Sequence, residues 1–163
     1  MNKPTTTLTS LLLLLSLCAP GASAGPLLDA ASGNDINAVR SLLQSGADVN
    51  ETQGDGMTAL HWAAETGNAE IAEMLVYAGS NLEAGTRIGN YTPLHIASRN
   101  GHAGVVAALL AGGANANIVT SNSGATPLHL AAASGDAETV NHLIGAGAIV
   151  DAREGRWGQT PLI

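Results

Sequence analysis

The chain has 163 residues, of which 45% are hydrophobic but only 2% are aromatic, and it contains no phenylalanine. A core with so few large side chains relies on small residues that let the backbone approach closely, which disfavours an aromatic-rich sandwich or a cofactor-lined barrel. Charged residues make up 12%, unlike a disordered chain, and the net charge of −7 disfavours binding to nucleic-acid phosphates.

The first predicted segment is a secretory signal peptide over residues 1–24. It combines the basic residue Lys3, the leucine-rich run Leu11–Leu17 and the small-residue site Ala22-Ser23-Ala24, after which we expect cleavage. The apolar run is shorter than the roughly 20 residues that span a bilayer. The alternatives are a buried apolar helix and a lipoprotein signal acylated on Cys18, although leucine rather than a small residue precedes that cysteine.

Cleavage at this site would leave a mature chain, residues 25–163, with unusual chemistry. This part contains neither cysteine nor lysine, and its five arginines against 13 acidic residues give a net charge of −8. Disulfides, thiolate metal sites and a cysteine nucleophile are therefore excluded. We predict a periplasmic or secreted protein without membrane attachment after cleavage.

The remaining chain repeats with a step of 34 residues. Threonine and histidine three residues apart recur in register, and two series of glycines keep the same step. A further unit begins with Thr160-Pro161-Leu162-Ile163. The residues in register are Thr58, His61, Gly67, Gly79, Thr92, His95, Gly101, Gly113, Thr126, His129, Gly135 and Gly147.

Each unit predicts two helices joined by a short turn. The threonine is a favoured N-cap, a following proline costs no hydrogen bond, and a glycine is suited to the left-handed turn that ends the first helix. The second helix carries an apolar stripe, for example Val105, Val106 and Leu109. The stretch that follows projects as a loop or hairpin, in which we expect Asn90 to take the left-handed backbone that glycine provides in the other units.

This pattern resembles the ankyrin repeat, whose motif T-P-L-H-x-A matches Thr92-Pro93-Leu94-His95-Ile96-Ala97. The resemblance implies an all-α solenoid of stacked helix-turn-helix units with projecting loops or β-hairpins. Because the last unit stops before its helices, we expect a fragment of a longer chain, or an open end covered by a partner or by self-association. The predicted ankyrin-repeat domain, 25–163, comprises a cap (26–53), repeats (54–87, 88–121 and 122–155) and an incomplete repeat (156–163).

No pattern favours catalysis, a cofactor or a metal. The resemblance gives His61, His95 and His129 a structural role, in which each ring hydrogen-bonds across the turn and ties down its unit. Stacked repeats would hold these rings about 10 Å apart, too far to share one zinc ion. There is no nucleophile elbow, and a phosphate loop of the G-x-x-x-x-G-K type is excluded without lysine. We predict no enzyme activity.

The resemblance also implies where a protein partner would bind. In ankyrin repeats the variable positions lie before the threonine, after the histidine and at the loop tips. In this chain the loop tips include Ile88 and Asn122. Aromatic residues and arginines, which interface hot spots favour, concentrate at these positions, although Trp62 and Trp157 could instead pack between units. The predicted protein-binding residues are Met57, Trp62, Arg87, Tyr91, Ile96, Leu130, Arg153, Arg156 and Trp157.

The sequence therefore predicts a non-catalytic interaction module that is exported from the cytoplasm and binds a protein partner on the concave face of the solenoid. One alternative is a secreted effector that acts on host proteins. Another is an adaptor segment at the N-terminal end of a longer enzyme.

Overall fold

The computed structural model describes residues 25–155 and 158–161. Within these residues the chain forms eight helices and no strand, apart from one isolated antiparallel bridge between Thr52 and Thr58. The helices are α1 (Pro26–Ser32), α2 (Ile36–Gln44), α3 (Ala59–Thr66), α4 (Ala69–Tyr77), α5 (Pro93–Asn100), α6 (Ala103–Ala111), α7 (Pro127–Ser134) and α8 (Ala137–Gly145).

The helices stack in two layers. The first helices of the units, α1, α3, α5 and α7, contact one another in chain order, and the second helices, α2, α4, α6 and α8, form the other layer in the same order. The two helices of each unit also pack together. Since each unit contacts mainly its neighbours, the predicted all-α solenoid is confirmed.

The first helices of the motif units begin and end as the sequence predicts. Thr58, Thr92 and Thr126 are N-caps, and the side chain of each accepts a hydrogen bond from the backbone N–H three residues later. Proline takes the first helical position in α5 and α7, where its missing N–H costs nothing. The glycines that end these helices in the left-handed region are Gly67, Gly101 and Gly135.

The motif histidines connect each unit to the next. The backbone N–H and the hydroxyl of Thr58 lie 3.1 and 2.8 Å from Nδ1 of His61. On the other side of the ring, Nε2 of His61 lies 3.0 Å from the carbonyl oxygen of Tyr91 in the following unit. Because Nδ1 accepts the N–H of Thr58, Nε2 carries the ring proton and donates it to the carbonyl.

The same bridge recurs in the next two units. Nε2 of His95 lies 3.2 Å from the carbonyl oxygen of Ala125, and Nε2 of His129 lies 3.1 Å from that of Gln159. The predicted structural role of the three histidines is confirmed, with one addition. Each ring ties its own turn and also binds the backbone of the next unit, so the histidines form a series of links along the solenoid.

Small residues lie where the first helices stack. Ala63, Ala64, Ala97 and Ala131 are all completely buried on α3, α5 and α7. Helices can approach to the short end of the usual 8–10 Å range when alanine lies between them. The larger fully buried side chains include Leu60, Ile71, Leu75, Leu94, Leu109, Leu128 and Leu143.

The first unit departs from the motif at both of its polar positions. Gly25 takes the N-cap position of the threonine and makes no side-chain cap. Leu28 takes the position of the histidine and is 1% exposed. The first unit therefore fills by apolar packing the place that a hydrogen-bonded imidazole fills in the other units.

A tight turn, which we call a finger, precedes the threonine of each later unit. In the first finger the N–H of Gln53 donates to the carbonyl of Met57 at 2.9 Å, whereas in the second the N–H of Thr86 reaches one residue further, to Tyr91, at 3.0 Å. The third finger, 120–125, closes like the second, and further along the chain the N–H of Glu154 donates to the carbonyl of Gln159 at 2.9 Å. The later fingers are thus longer than the first, as the sequence predicts, and Asn90 has a positive φ of 51°.

Backbone hydrogen bonds join neighbouring fingers into a row. Each of these bonds runs from an N–H of one finger to a carbonyl of the preceding finger, so that the fingers support one another. The bonds are Arg87 to Asp55 at 2.8 Å, Ser121 to Gly89 at 2.9 Å and Gly155 to Ser123 at 2.7 Å.

The last complete unit leaves apolar side chains exposed. Ile144, Ile149 and Val150 are 41%, 53% and 42% exposed. A cavity of about 320 Å³ lies at α7, where its lining includes Leu130 and Pro161. Association of this end with a partner or a second copy remains a prediction.

The histidine links predict that the protein loses stability in mild acid. Burial lowers the pKa of His95 to about 4, although its hydrogen bond to the carbonyl of Ala125 acts in the opposite direction. Burial also lowers the pKa of His61. As pH falls below about 6.5, the unfolded chain takes up the proton at His95 first, so the free energy of unfolding should decrease until pH about 4, by up to about 1.4 kcal/mol per pH unit for this histidine. The lowered pKa of His61 acts in the same direction.

Urea unfolding between pH 7.5 and 4.5, together with an NMR titration of the His95 ring, measures this effect. The variant His95→Gln is expected to be less stable at pH 7.5 but to lose stability less steeply as pH falls. An unchanged slope in His95→Gln would show that the pH dependence has another source.

A buried hydroxyl group in α8 lacks a hydrogen bond among the described residues, so we expect its replacement to stabilise the fold. Thr139 is completely buried, and its Oγ1 has no hydrogen-bond partner within the described part of the chain. The equivalent positions in the two preceding units hold Ile71 and Val105. Thr139→Val should raise the free energy of unfolding by about 1 kcal/mol, because it removes an unsatisfied polar group without loss of volume.

Thermal or urea unfolding checks this prediction. The matched control is Thr66→Val, since the hydroxyl of Thr66 donates to the carbonyl of Trp62 at 2.9 Å. This control should not be stabilised. Equal effects of the two substitutions would contradict the explanation.

Candidate protein-binding surface

The predicted binding residues differ in how much surface they offer. Arg87 and Arg153 are exposed, and four others are partly buried, namely Met57, Trp62, Tyr91 and Leu130. Ile96 is only 3% exposed and belongs to the hydrophobic core, so it presents almost no side-chain surface to a partner. The remaining two, Arg156 and Trp157, lie outside the described residues.

The second finger is held in shape by its own hydrogen bonds. The hydroxyl of Thr86 donates to the carbonyl of Ile88 at 2.9 Å and accepts the N–H of Tyr91 at 3.1 Å. Gly89 and Asn90 both have positive φ, of 83° and 51°, which reverses the chain at the tip. The result is a defined turn on which Ile88 is 87% exposed.

The guanidinium group of Arg87 is available beside this isoleucine. Its backbone N–H donates to the preceding finger, but its side chain makes no hydrogen bond or ion pair with any described residue. An unpaired arginine next to an exposed aliphatic side chain combines a charged donor with apolar contact area. Such a pair suits recognition of a protein surface.

Tyr91 is fixed between two units. Its ring lies edge-on to the His95 ring, with centroids 6.0 Å apart, and the guanidinium carbon of Arg99 lies 5.9 Å from the Tyr91 ring centroid. The Nδ2 group of Asn122, in the third finger, donates to the hydroxyl of Tyr91 at 3.4 Å. The ring is thus oriented before any partner arrives, which reduces the entropy lost on binding.

Arg99 is itself held by the unit before it. It forms an ion pair with Glu65 at 3.3 Å, and the side chain of Asn100 donates to the same carboxylate at 3.2 Å. These groups position the tyrosine, and the prediction of binding residues did not include them. The signal was in the sequence, because Glu65 and Arg99 are 34 residues apart and so occupy the same position in neighbouring units.

Trp62 contributes packing more than hydrogen bonding. Its ring packs against the hydrophobic core, and its Nε1 is buried with no hydrogen-bond partner among the described residues. The indole donor therefore does not face solvent. Only the exposed edge of the ring is available for apolar contact with a partner.

The motif histidines have no free ring nitrogen for a metal or for proton transfer. Nδ1 and Nε2 of each ring make the bonds to the threonine and to the next unit. Of the other histidines, His102 binds the carbonyl of Glu65 through Nε2 at 3.2 Å. His142 is exposed, and its Nε2 lies 3.9 Å from the carboxylate of Glu138 on the same helix.

Comparison with known proteins identifies the family. The protein-family model described as ankyrin repeats (3 copies) matches residues 6–86, 27–120 and 80–154. The chain belongs to the ankyrin-repeat family. Ankyrin repeats generally act as protein–protein interaction modules and are generally non-catalytic. The first match begins at residue 6, inside the segment for which the sequence predicts a signal peptide.

A curated relative extends this likeness. Over 64 residues the chain is 36% identical to ankyrin repeat domain-containing protein 40 of Mus musculus, an alignment that covers 39% of this chain and 18% of the mouse protein. The chain therefore spans less than a fifth of the length of that relative. Among the described residues, no helix has the length and apolar character needed to cross a membrane.

We define the finger surface by the predicted residues that retain exposed area together with Ile88. It combines a rigid finger, an unpaired arginine and an oriented tyrosine with apolar edges from the first helices. Its described members are Met57, Trp62, Arg87, Ile88, Tyr91, Leu130 and Arg153.

Proposed function

We propose that this ankyrin-repeat chain is a non-catalytic module that binds a protein partner on its finger surface. The observation that carries the proposal is the second finger, where the Arg87 side chain has no partner among the described residues and Ile88 is 87% exposed beside the fixed ring of Tyr91. Rigid aromatic and arginine side chains next to apolar area are typical of interface hot spots. The partner sits on the concave face that the fingers and first helices form.

The chemistry of the finger surface defines the partner that fits it. Arg87 would pair with a carboxylate or with backbone carbonyls of the partner, and Ile88 would enter an apolar pocket on the surface of the partner. The net charge of −7 on the whole chain favours a neutral or basic protein over an acidic one and disfavours nucleic acid.

We further propose that the module acts outside the cytoplasm, in the periplasm or as a secreted protein. Residues 1–24, which lie outside the described residues, support this proposal by their basic start, leucine tract and small-residue site. A mature chain without cysteine suits an oxidising compartment, because it has no thiol to mispair.

Substitution of Ile88 tests the binding proposal. A photo-reactive group at position 88 of the full chain first identifies the contacting protein in extracts of the producing organism, and its Kd is then measured by titration. Ile88→Asp is expected to weaken binding at least about tenfold, because the carboxylate would lose its hydration in the apolar pocket of the partner.

The matched control is Tyr77→Ala, since Tyr77 is 95% exposed on α4, in the layer of second helices. This substitution should change the Kd less than about twofold. If Tyr77→Ala weakens binding and Ile88→Asp does not, the partner occupies the second-helix layer and the proposal is wrong.

A further inference from the structure

The space beside Gly25 holds a carboxylate from the loop that follows α2. Gly25 is the N-cap of α1, and a Cβ at this position would overlap the carboxylate oxygens of Glu51. In the later units the same N-cap position holds a threonine side chain. The glycine is therefore what allows Glu51 to reach the beginning of α1.

The carboxylate of Glu51 has no partner there. It makes no hydrogen bond or ion pair with any described residue. The backbone nitrogen of Gly25 is two bonds away from the position such a Cβ would take, so it lies within about 4.5 Å of a carboxylate oxygen. An acceptor with a full negative charge thus stands next to the nitrogen at which the described fold begins.

We propose that the Ala24–Gly25 peptide bond is hydrolysed and that the new ammonium group of Gly25 pairs with Glu51. Water adds across the bond, so that Ala24 leaves as a carboxylate and the Gly25 nitrogen takes up protons to become an ammonium ion. The inference rests on the export part of the proposed function. It adds that the fold contains a counter-ion, the Glu51 carboxylate, for the new N-terminus.

Electrostatics explains why an ammonium group at Gly25 would need a counter-ion. A positive charge at the beginning of a helix is unfavourable, because the free N–H groups of the first turn already carry partial positive charge. Glu51 would neutralise the ammonium group, and Asp29 adds a second carboxylate in the first turn of α1. The carbonyl of Gly25 accepts the N–H of Asp29 at 3.0 Å, so residue 25 stays part of the helix.

The composition of the chain leaves a single primary amine for the test after cleavage. Lys3 is the only lysine, so after hydrolysis at Ala24–Gly25 the α-amino group is the only primary amine in the protein. The full chain is expressed in a secretory host, and the intact mass and N-terminal peptide of the exported product identify its first residue. We expect Gly25. A product that begins at Met1 or at an acylated Cys18 would overturn the cleavage.

Acetylation with trace acetic anhydride then tests the ion pair on the exported protein. Pairing with Glu51 raises the pKa of the α-amino group, so at pH 7 the wild type should react about two- to fivefold more slowly than Glu51→Gln. The matched control Glu73→Gln removes an exposed carboxylate on α4 and should react like the wild type. Complete acetylation should lower the Tm of the wild type but not that of Glu51→Gln, in which it removes an uncompensated positive charge from the beginning of α1.

Equal acetylation rates in the wild type and Glu51→Gln, with Gly25 as the first residue, would overturn the ion pair while the cleavage stands. Failure of the cleavage or of the ion pair can be distinguished from failure of partner binding. The binding proposal is judged by the Kd of the Ile88 and Tyr77 variants, which lie in other parts of the chain.

Discussion

The hydrogen bonds of the motif histidines are the interaction on which the rest of the structure depends. A neutral imidazole accepts from the threonine that begins its own helix and donates to the backbone just before the next threonine. Helix capping, the shape of the turn and the spacing between units are therefore fixed by one buried ring. Because each ring reaches only the following unit, stability is built up from neighbour to neighbour. Protonation of a ring occurs at Nδ1, so it breaks the bond from the threonine N–H of the same unit and leaves the donor at Nε2 in place.

Much of this arrangement could be predicted because the repeat places equivalent residues side by side. Threonine and glycine in register predicted the helix starts and the helix ends, and the resemblance to the ankyrin repeat implied the structural role of the rings. The same reasoning explains the ion pair between Glu65 and Arg99, which are one repeat apart. Asn90 also behaves as predicted, since its backbone takes the left-handed conformation that glycine has in the other units.

Exposure at a repeated position could not be predicted in the same way. Trp62, Ile96 and Leu130 all follow a motif histidine, yet Ile96 is buried while the other two keep part of their surface. An indole ring is larger than the space that a β-branched aliphatic side chain fills, and Leu130 lies at the edge of the last complete unit. Exposure depends on side-chain size and on the neighbouring unit, whereas the motif fixes only the backbone position.

The same dependence on neighbours gives the first unit its chemistry. No unit precedes it in the described chain, so no imidazole reaches its backbone from that side, and it has neither the threonine nor the histidine of the motif. Leucine replaces the ring at position 28, and the missing side chain at Gly25 opens the space that the carboxylate of Glu51 enters. This contact with the beginning of α1 comes from the loop that follows α2 in the same unit, whereas the histidine links run between units. In both places a polar side chain contacts the backbone at or just before the beginning of a first helix, with the carboxylate suited to a positive chain end and the neutral imidazole suited to an uncharged carbonyl.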